Sequence, residues 1–310
     1  MILVISLNPC LDRICFINEF KTGMLNRSQR CVVSAGGKGV NVAKVLSALG
    51  EQVQILGFFA GSAGRYIIET MQKLNIETYP VWQDGQETRT TVNIMDTATG
   101  LETEITEPGP IISYEKICEF FNIYNVLVQK SDLVVMSGSA PVGIEDDIYK
   151  RLIVNAKEYA KTTVLDTASG LLKAGIEANP DYIKPNIREL NDLTKETPNN
   201  PGGVFGQIDY LHNKGVKNIC LSMGKAGAIL SCEKNRYSVK AFDVNVVNTI
   251  GSGDSMTAGI AASVKRGYGS CELLTFSSAC AASNACFEGI GIIDKEQVER
   301  LFSLGKCEKI

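Results

Sequence analysis

Histidine is almost missing: His212 is the only one in 310 residues. A catalytic triad built on an imidazole base, or a zinc site built on imidazole ligands, is thereby excluded as a main reading. Paired cysteines are missing too. The ten cysteines stand at Cys10, Cys15, Cys31, Cys118, Cys220, Cys232, Cys271, Cys280, Cys286 and Cys307, with no Cys-x-x-Cys among them. Most sit among apolar neighbours, so the expectation is buried thiols in a reducing, cytoplasmic setting. A strong excess of one charge is absent: the net charge is −3, which gives no attraction for nucleic acid or a membrane surface. No apolar run is long enough to span a bilayer. The apolar start, Met1 to Leu7, is short, lacks a basic flank and soon meets Asn8-Pro9. It reads as a strand, not a signal peptide. Repeats, low-complexity tracts and extended linkers are also lacking.

What is present is an ordinary globular composition, 45% hydrophobic and 21% charged, on a chain that suits one large α/β domain. Strand and helix patterns alternate along it. Val53 to Phe59 reads as a strand and Gly64 to Leu74 as a helix. Further strands are expected at Asp132 to Met136, Thr163 to Asp166, Tyr182 to Lys184, Asn218 to Ser222 and Ala228 to Ser231, with a helix over Ile144 to Lys161. Such alternation predicts a mostly parallel sheet covered by helices. Residues 14–33 read as short strands outside that sheet. Residues 88–95 and 103–110 flank a turn at Thr99-Gly100 and read as a hairpin. Residues 196–206, rich in proline and glycine, read as a mobile loop.

The chain is organised around Asn248-Thr249-Ile250-Gly251-Ser252-Gly253-Asp254. Phe242 to Val247, rich in β-branched residues, predicts a strand before it. Small and apolar residues at helical spacing follow over 255–266. A glycine-rich turn thus opens a helix, whose first N–H groups lack intrahelical partners and whose dipole adds positive potential. Gly251 and Gly253 let the backbone approach an anion. Asp254 at its mouth suits a general base, although a helix-capping role fits the same position.

A second glycine turn, Ser34-Ala35-Gly36-Gly37-Lys38-Gly39-Val40-Asn41, feeds a helix with an apolar stripe at Val42, Val45, Leu46 and Leu49. It has neither Walker A nor dinucleotide-fingerprint spacing. Asp12 lies just past the end of the first strand, where ligands of open α/β sheets gather. It is either a turn aspartate or a ligand for hydroxyl groups. Arg89 is either a solvated strand charge or a fork of donors for a phosphate. Arg27 is a further candidate of that kind.

Taken with their order, the two glycine turns closely resemble the N- and C-terminal signatures of the ribokinase-like (PfkB-type) carbohydrate kinases. Serine at 252 replaces the alanine usual in that family's Gly-Ala-Gly-Asp. The resemblance, which extends from about residue 2 to residue 293, implies a ribokinase-like three-layer α/β sandwich with a mostly parallel central sheet. It also implies one kinase domain over residues 1–310, with a small β-sheet lid formed by about 10–33 and 87–110. In several members that lid doubles as a homodimer surface. Asp254 would take the proton of a sugar hydroxyl, and Gly251, Ser252 and Gly253 would form the anion hole. Asp12, Gly37 and Asn41 would hold sugar hydroxyls, with Lys38 and Arg89 clamping a phosphate already on the sugar.

The nucleotide side is implied by the same resemblance. Lys184, Asn186 and Glu189 match Lys-Pro-Asn-x-x-Glu, in which Asn and Glu help to place Mg²⁺, partly through water, and Lys lies near the ATP phosphates. Glu189 also has the plain reading of a first-turn acid favoured by the helix dipole. Ser222, Gly224 and Gly227 match the nucleotide loop, and Asn284, in a small-residue helix over 277–288, is placed against the adenine. The motif set most resembles the 1-phosphofructokinase and tagatose-6-phosphate kinase branch, with Ala140 where a larger apolar residue is usual. Fructose 1-phosphate is the first expectation for acceptor, then tagatose 6-phosphate, then fructose 6-phosphate. A non-catalytic nucleotide- or sugar-binding regulator would be expected to lack Asp254 or the glycines, and a nucleoside kinase to lack Lys38 and Arg89.

Overall fold

Strand β1 (Ile2–Ser6) is buried at every position, because a central strand of a parallel sheet has helices on both faces. Ile2 and Val4 point into one core; Leu3 and Ile5 point into the other. The computed structural model describes residues 1–194, 203–232 and 235–310. The chain leaves β1 into β2 (Cys10–Ile17) and β3 (Arg30–Gly36), then enters α1 (Lys38–Ala48), β4 (Val53–Ala60), α2 (Gly61–Lys73) and β5 (Glu77–Gln83). A hairpin follows, β6 (Thr90–Asp96) and β7 (Glu102–Thr106), and then α3 (Tyr114–Lys130) and β8 (Leu133–Ser137). Next come α4 (Ile148–Glu158), β9 (Thr162–Asp166), α5 (Ser169–Ile176), β10 (Tyr182–Ile183), α6 (Ile187–Thr194) and α7 (Gly203–Asn213). The last third holds β11 (Asn218–Ser222), β12 (Ala228–Cys232), β13 (Asn235–Val239), α8 (Ser252–Arg266), α9 (Ser270–Ala285), α10 (Lys295–Leu304) and β14 (Cys307–Lys309).

The main sheet runs in the order β14-β13-β12-β11-β10-β9-β8-β1-β4-β5. From β5 to β11 neighbouring strands are parallel, and β12, β13 and β14 add antiparallel at one edge. Helices α1, α2, α8, α9 and α10 supply the core on one face; α3 to α7 supply it on the other. This is the expected three-layer arrangement. The second sheet, β3-β2-β6-β7, has four strands. Its central pair, β2 and β6, runs parallel, and the outer pairs run antiparallel.

Several local expectations change. Phe242 to Val247 forms no strand: its end is held instead by the Val247 and Asn248 N–H groups donating to the Ala285 carbonyl at the end of α9. Phe242 and Val244 pack against the core, whereas Val246 and Val247 are exposed. The helix expected from Ile144 begins at Ile148, after a turn in which Gly143 has φ +92°. Of the loop expected over 196–206, residues 196–202 lie outside the described residues and 203–206 open α7. The thiol expectation is corrected as well. Cys271 and Cys307 form a disulfide, with Cα atoms 5.5 Å apart, because β14 docks beside the start of α9. Among the free cysteines Cys10, Cys220 and Cys280 are buried, whereas Cys31 and Cys118 are exposed. Among the described residues no helix is long and apolar enough to cross a membrane.

Candidate active site

The carboxyl ends of β1, β8, β9, β10 and β11 open on one edge of the main sheet, where ligands of open α/β sheets bind. Three glycine turns converge on that edge. Gly37, at φ +90°, caps α1, and Gly251, at φ +78°, caps α8. Both conformations favour glycine. The third turn follows β11, where Gly227 has φ +97° and an added Cβ would lie 2.1 Å from the Val239 carbonyl oxygen.

Asp254 stands in the first turn of α8, 7% exposed. Its Oδ2 accepts a hydrogen bond from Asn41 Nδ2 at 2.9 Å, joining the two glycine-led helices. Burial pushes its carboxyl up to about 6; Asp166 adds to the rise, and Lys38, Asn41 and Lys184 oppose it. Capping falls to Gly251, and the Asp254 side chain takes no part in it. Among the described residues no protein group accepts from the N–H groups of Gly251, Gly253 and Asp254, whereas the Ser252 N–H donates to Thr249 at 3.2 Å. The open donors of the turn therefore differ slightly from the expected set.

Asp166, at the end of β9, is the residue that sequence reading missed. It is 1% exposed. Its Oδ1 lies 3.1 Å from Lys38 Nζ and 3.4 Å from Lys184 Nζ, and its Oδ2 accepts from Thr257 Oγ1 at 2.6 Å. Burial alone would raise its carboxyl; Lys184, Lys38 and the Thr257 hydroxyl hold it below the usual range. Its position at the end of a central parallel strand was the available signal. Lys184 is 4% exposed, and an added Cβ on Gly253 would lie 3.4 Å from its ammonium. Lys184 thus flanks the anion turn.

Lys38 is 36% exposed in its side chain, and beyond Asp166 it reaches Glu189 Oε1 at 3.8 Å. Burial alone would lower its ammonium, but Asp166, Asp254 and Glu189 raise it. Its partners are the Asp166 and Glu189 carboxylates, and its side chain stays partly exposed beside them. Arg89 is placed apart from that group: its Nε donates to the Asn8 carbonyl at 3.2 Å, and it lies in the field of Asp12. Asp12 is 4% exposed and accepts from Cys10 Sγ at 3.0 Å. A Cβ on Gly36 would fall 1.8 Å from Asp12 Oδ2, so only glycine leaves that carboxylate room. Arg27 is exposed in the β2–β3 connection, and no hydrogen bond or ion pair among the described residues ties it to the others.

Asn186 and Glu189 form a reciprocal cap on α6: the Asn186 N–H donates to Glu189 Oε2, and the Glu189 N–H to Asn186 Oδ1, both at 2.9 Å. The plain helix-end reading of Glu189 is realised, yet its Oε1 still faces Lys38. Asn186 bridges to Ser222 across the strand ends, which brings the loop bearing Gly224 and Gly227 beside Lys184. Asn284 departs from its expected place. It is fully buried, its amide donating to the Ile250 carbonyl at 2.8 Å and its Oδ1 accepting from the Gly291 N–H at 2.9 Å. It braces the anion turn from below and has no free face for a base.

The profile of the pfkB family carbohydrate kinases matches residues 3–294. The chain belongs to the PfkB family of carbohydrate kinases. A Staphylococcus epidermidis tagatose-6-phosphate kinase is 33% identical over 305 residues, which is 97% of each chain. A Thermotoga maritima structure described as a possible 1-phosphofructokinase is 25% identical, with a TM-score of 0.88 over 100% of this chain and 99% of that one. Phosphofructokinase-2 from Escherichia coli, in complex with substrates and products, shares the fold at TM-score 0.89, with 22% identity over 98% of both chains. As a PfkB member the chain is an ATP-dependent sugar kinase, and Asp254, Asp166, Lys38 and Lys184 form the charged cluster at the carboxyl ends of its parallel strands.

Proposed function

We propose that this kinase transfers the γ-phosphoryl group of ATP to a ketohexose phosphate, converting fructose 1-phosphate to fructose 1,6-bisphosphate. The observation that carries the acceptor class is the placing of Arg89 beside Asp12. One buried carboxylate for hydroxyls and, in its field, one guanidinium for a phosphate suit a phosphorylated sugar. A second reading, phosphorylation of tagatose 6-phosphate to the 1,6-bisphosphate, is favoured by the identity to the S. epidermidis kinase.

In this reading Asp254 accepts the proton of the attacking hydroxyl. A carboxyl titrating at about 6 is ionised about ten to one at pH 7, close to the ideal for a base at that pH. The N–H groups of Gly251, Gly253 and Asp254 hold the transferring group, and Lys38 and Lys184 neutralise its charge from either side of Asp166. Gly37 and Asn41 close the sugar side. Ser222, Gly224 and Gly227 pass the nucleotide. The residues present also fit a phosphate-bound Mg²⁺. Glu189 keeps one carboxylate oxygen outside its cap, the Asn186 side-chain carbonyl keeps a second lone pair, and among the described residues no all-protein cage of acidic, histidine or cysteine ligands forms. Mg²⁺ held by one carboxylate, water and substrate phosphates is the usual pattern, and it would neutralise the polyphosphate. Exposed Val33 and Ile105 on the small sheet, with Leu101 in its β6–β7 turn, support a homodimer through that sheet.

The test is an ADP-release assay with Mg-ATP against fructose 1-phosphate, tagatose 6-phosphate, fructose 6-phosphate, free ketoses and a nucleoside, compared by kcat/KM. Preference for fructose 1-phosphate bears out the first reading, and preference for tagatose 6-phosphate selects the second. Turnover confined to unphosphorylated acceptors removes both.

A further inference from the structure

Lys44 is a buried cation on α1 that the proposed chemistry leaves unused. It is 9% exposed, and its ammonium donates to two backbone carbonyls, Ala35 at 3.0 Å and Ile290 at 2.5 Å. These two carbonyls belong to different halves of the site. Ala35 precedes Gly36, whose α-carbon abuts the Asp12 carboxylate. Ile290 lies in the connection after α9 that backs the anion turn: an added Cβ on Gly251 would meet Ile290 Cγ2 at 2.6 Å. The same connection is tied to that turn by Asn248 Nδ2 donating to the Glu288 carbonyl and by the Gly291 N–H donating to Asn284. Among the described residues, the other polar link from β3 to it is the Arg30–Glu288 ion pair, with both side chains about half exposed; exposed pairs contribute little.

We infer that Lys44 is a positioning residue, one ammonium that holds the sugar-side strand β3 and the backing of the phosphoryl-side turn in fixed relation. This inference rests on the kinase reading above. A protonated amine suits the task because it has three donors and no acceptor, so it can satisfy two buried carbonyls at once. The charged groups that face it are Asp12 from β2 and Asp254 from α8, with the Cys10 thiol beside Asp12. Asp254 in turn faces Lys38, Asp166 and Lys184. Burial pushes the Lys44 ammonium down to about 8, against the pull of Asp12 and Asp254. A rise in pH through that value would therefore discharge the tie, whereas arginine at 44 would stay charged.

The test compares the full-length protein with Lys44→Met and Lys44→Arg, using Mg-ATP and the preferred ketohexose phosphate. For Lys44→Met the expected result is a fall in kcat of about tenfold or more, equivalent to about 1.4 kcal/mol of transition-state stabilisation, with the KM for ATP within about twofold of wild type. For Lys44→Arg most of kcat returns, and the alkaline fall in kcat/KM near pH 8 disappears. A Lys44→Met enzyme with wild-type kcat overturns the inference, and so does an arginine enzyme that keeps the wild-type alkaline limb. The arginine arm decides alone if the methionine variant does not fold. If wild type phosphorylates no ketohexose phosphate, the functional reading fails, and hydrogen exchange in the ligand-free protein still tests the tie. Protection of the Gly291 amide should drop between pH 7 and pH 9 in wild type and persist in Lys44→Arg; protection equal in both overturns it.

Discussion

Replacing Asp254 by asparagine should make the ligand-free protein more stable while removing its activity. The introduced amide would keep an oxygen to accept from Asn41 but lose the buried charge. The folded protein holds the Asp254 carboxyl at about 6, against an ordinary 3.8, because burial disfavours the ion more than Lys38 and Lys184 favour it. That difference is worth about 3 kcal/mol. The sign follows from linkage. A carboxyl raised in the folded state favours folding when protonated, so the contribution is full below about pH 4 and is lost as pH rises to about 6. Above that, wild type carries the full cost of the ion and Asp254→Asn carries none. Urea unfolding of both proteins from pH 4 to pH 8, without nucleotide, should show a gap in favour of asparagine that opens between pH 4 and pH 6 and then stays level. Turnover should fall by about two to four orders of magnitude, the usual worth of a positioned base, with ATP binding retained. A gap that does not depend on pH, or a variant with near-wild-type turnover, would refute the reasoning.

Three further perturbations probe the rest of the site. Gly36→Ala places a Cβ 1.8 Å from Asp12 Oδ2, so the KM for the sugar should rise about tenfold or more while that for ATP holds; an unchanged sugar KM would remove Asp12 from the pocket. Arg89→Ala should raise the KM for a sugar phosphate by one to two orders of magnitude, roughly the worth of a charge-assisted pair, and equal losses on free and phosphorylated sugars would displace the phosphate from that position. Asp166→Asn leaves Lys38 and Lys184 without their shared carboxylate. Breaking a buried pair in this way costs about 3–5 kcal/mol, so chemical denaturation should show a loss of that order together with a large fall in kcat, and wild-type behaviour in both would make Asp166 a bystander.

Much of the molecule was legible in the chain because the deciding physics is local. The apolar runs of β1 and of Ile55 to Ala60 in β4, with that of β8, require helices on both sides. Gly37 and Gly251 mark positive φ at helix starts, and the spacing of Asn186 and Glu189 is that of a reciprocal cap, which needs only neighbouring residues. The small sheet could be read from alternation and from the turn at Thr99-Gly100, although the parallel pairing of β2 with β6 could not.

What depends on distant parts of the chain was decided by tertiary structure alone. Phe242 to Val247 has strand propensity, but its end is tied to the end of α9 through the Ala285 carbonyl and joins no sheet. Asn284 was matched to the adenine by its place in a motif, yet packing of α9 beneath the anion turn spends its amide on Ile250 and Gly291. Cys271 meets Cys307 only because β14 docks beside α9. The charges are the clearest case. Residues 38, 166, 184, 189 and 254 are scattered through the sequence, and nothing in their spacing says that one buried carboxylate holds two lysines. Sequence determined which glycine turns open helices at the strand ends. Folding decided, through burial and the sharing of charge, that the Asp254 carboxyl would be raised and Asp166 held as an anion.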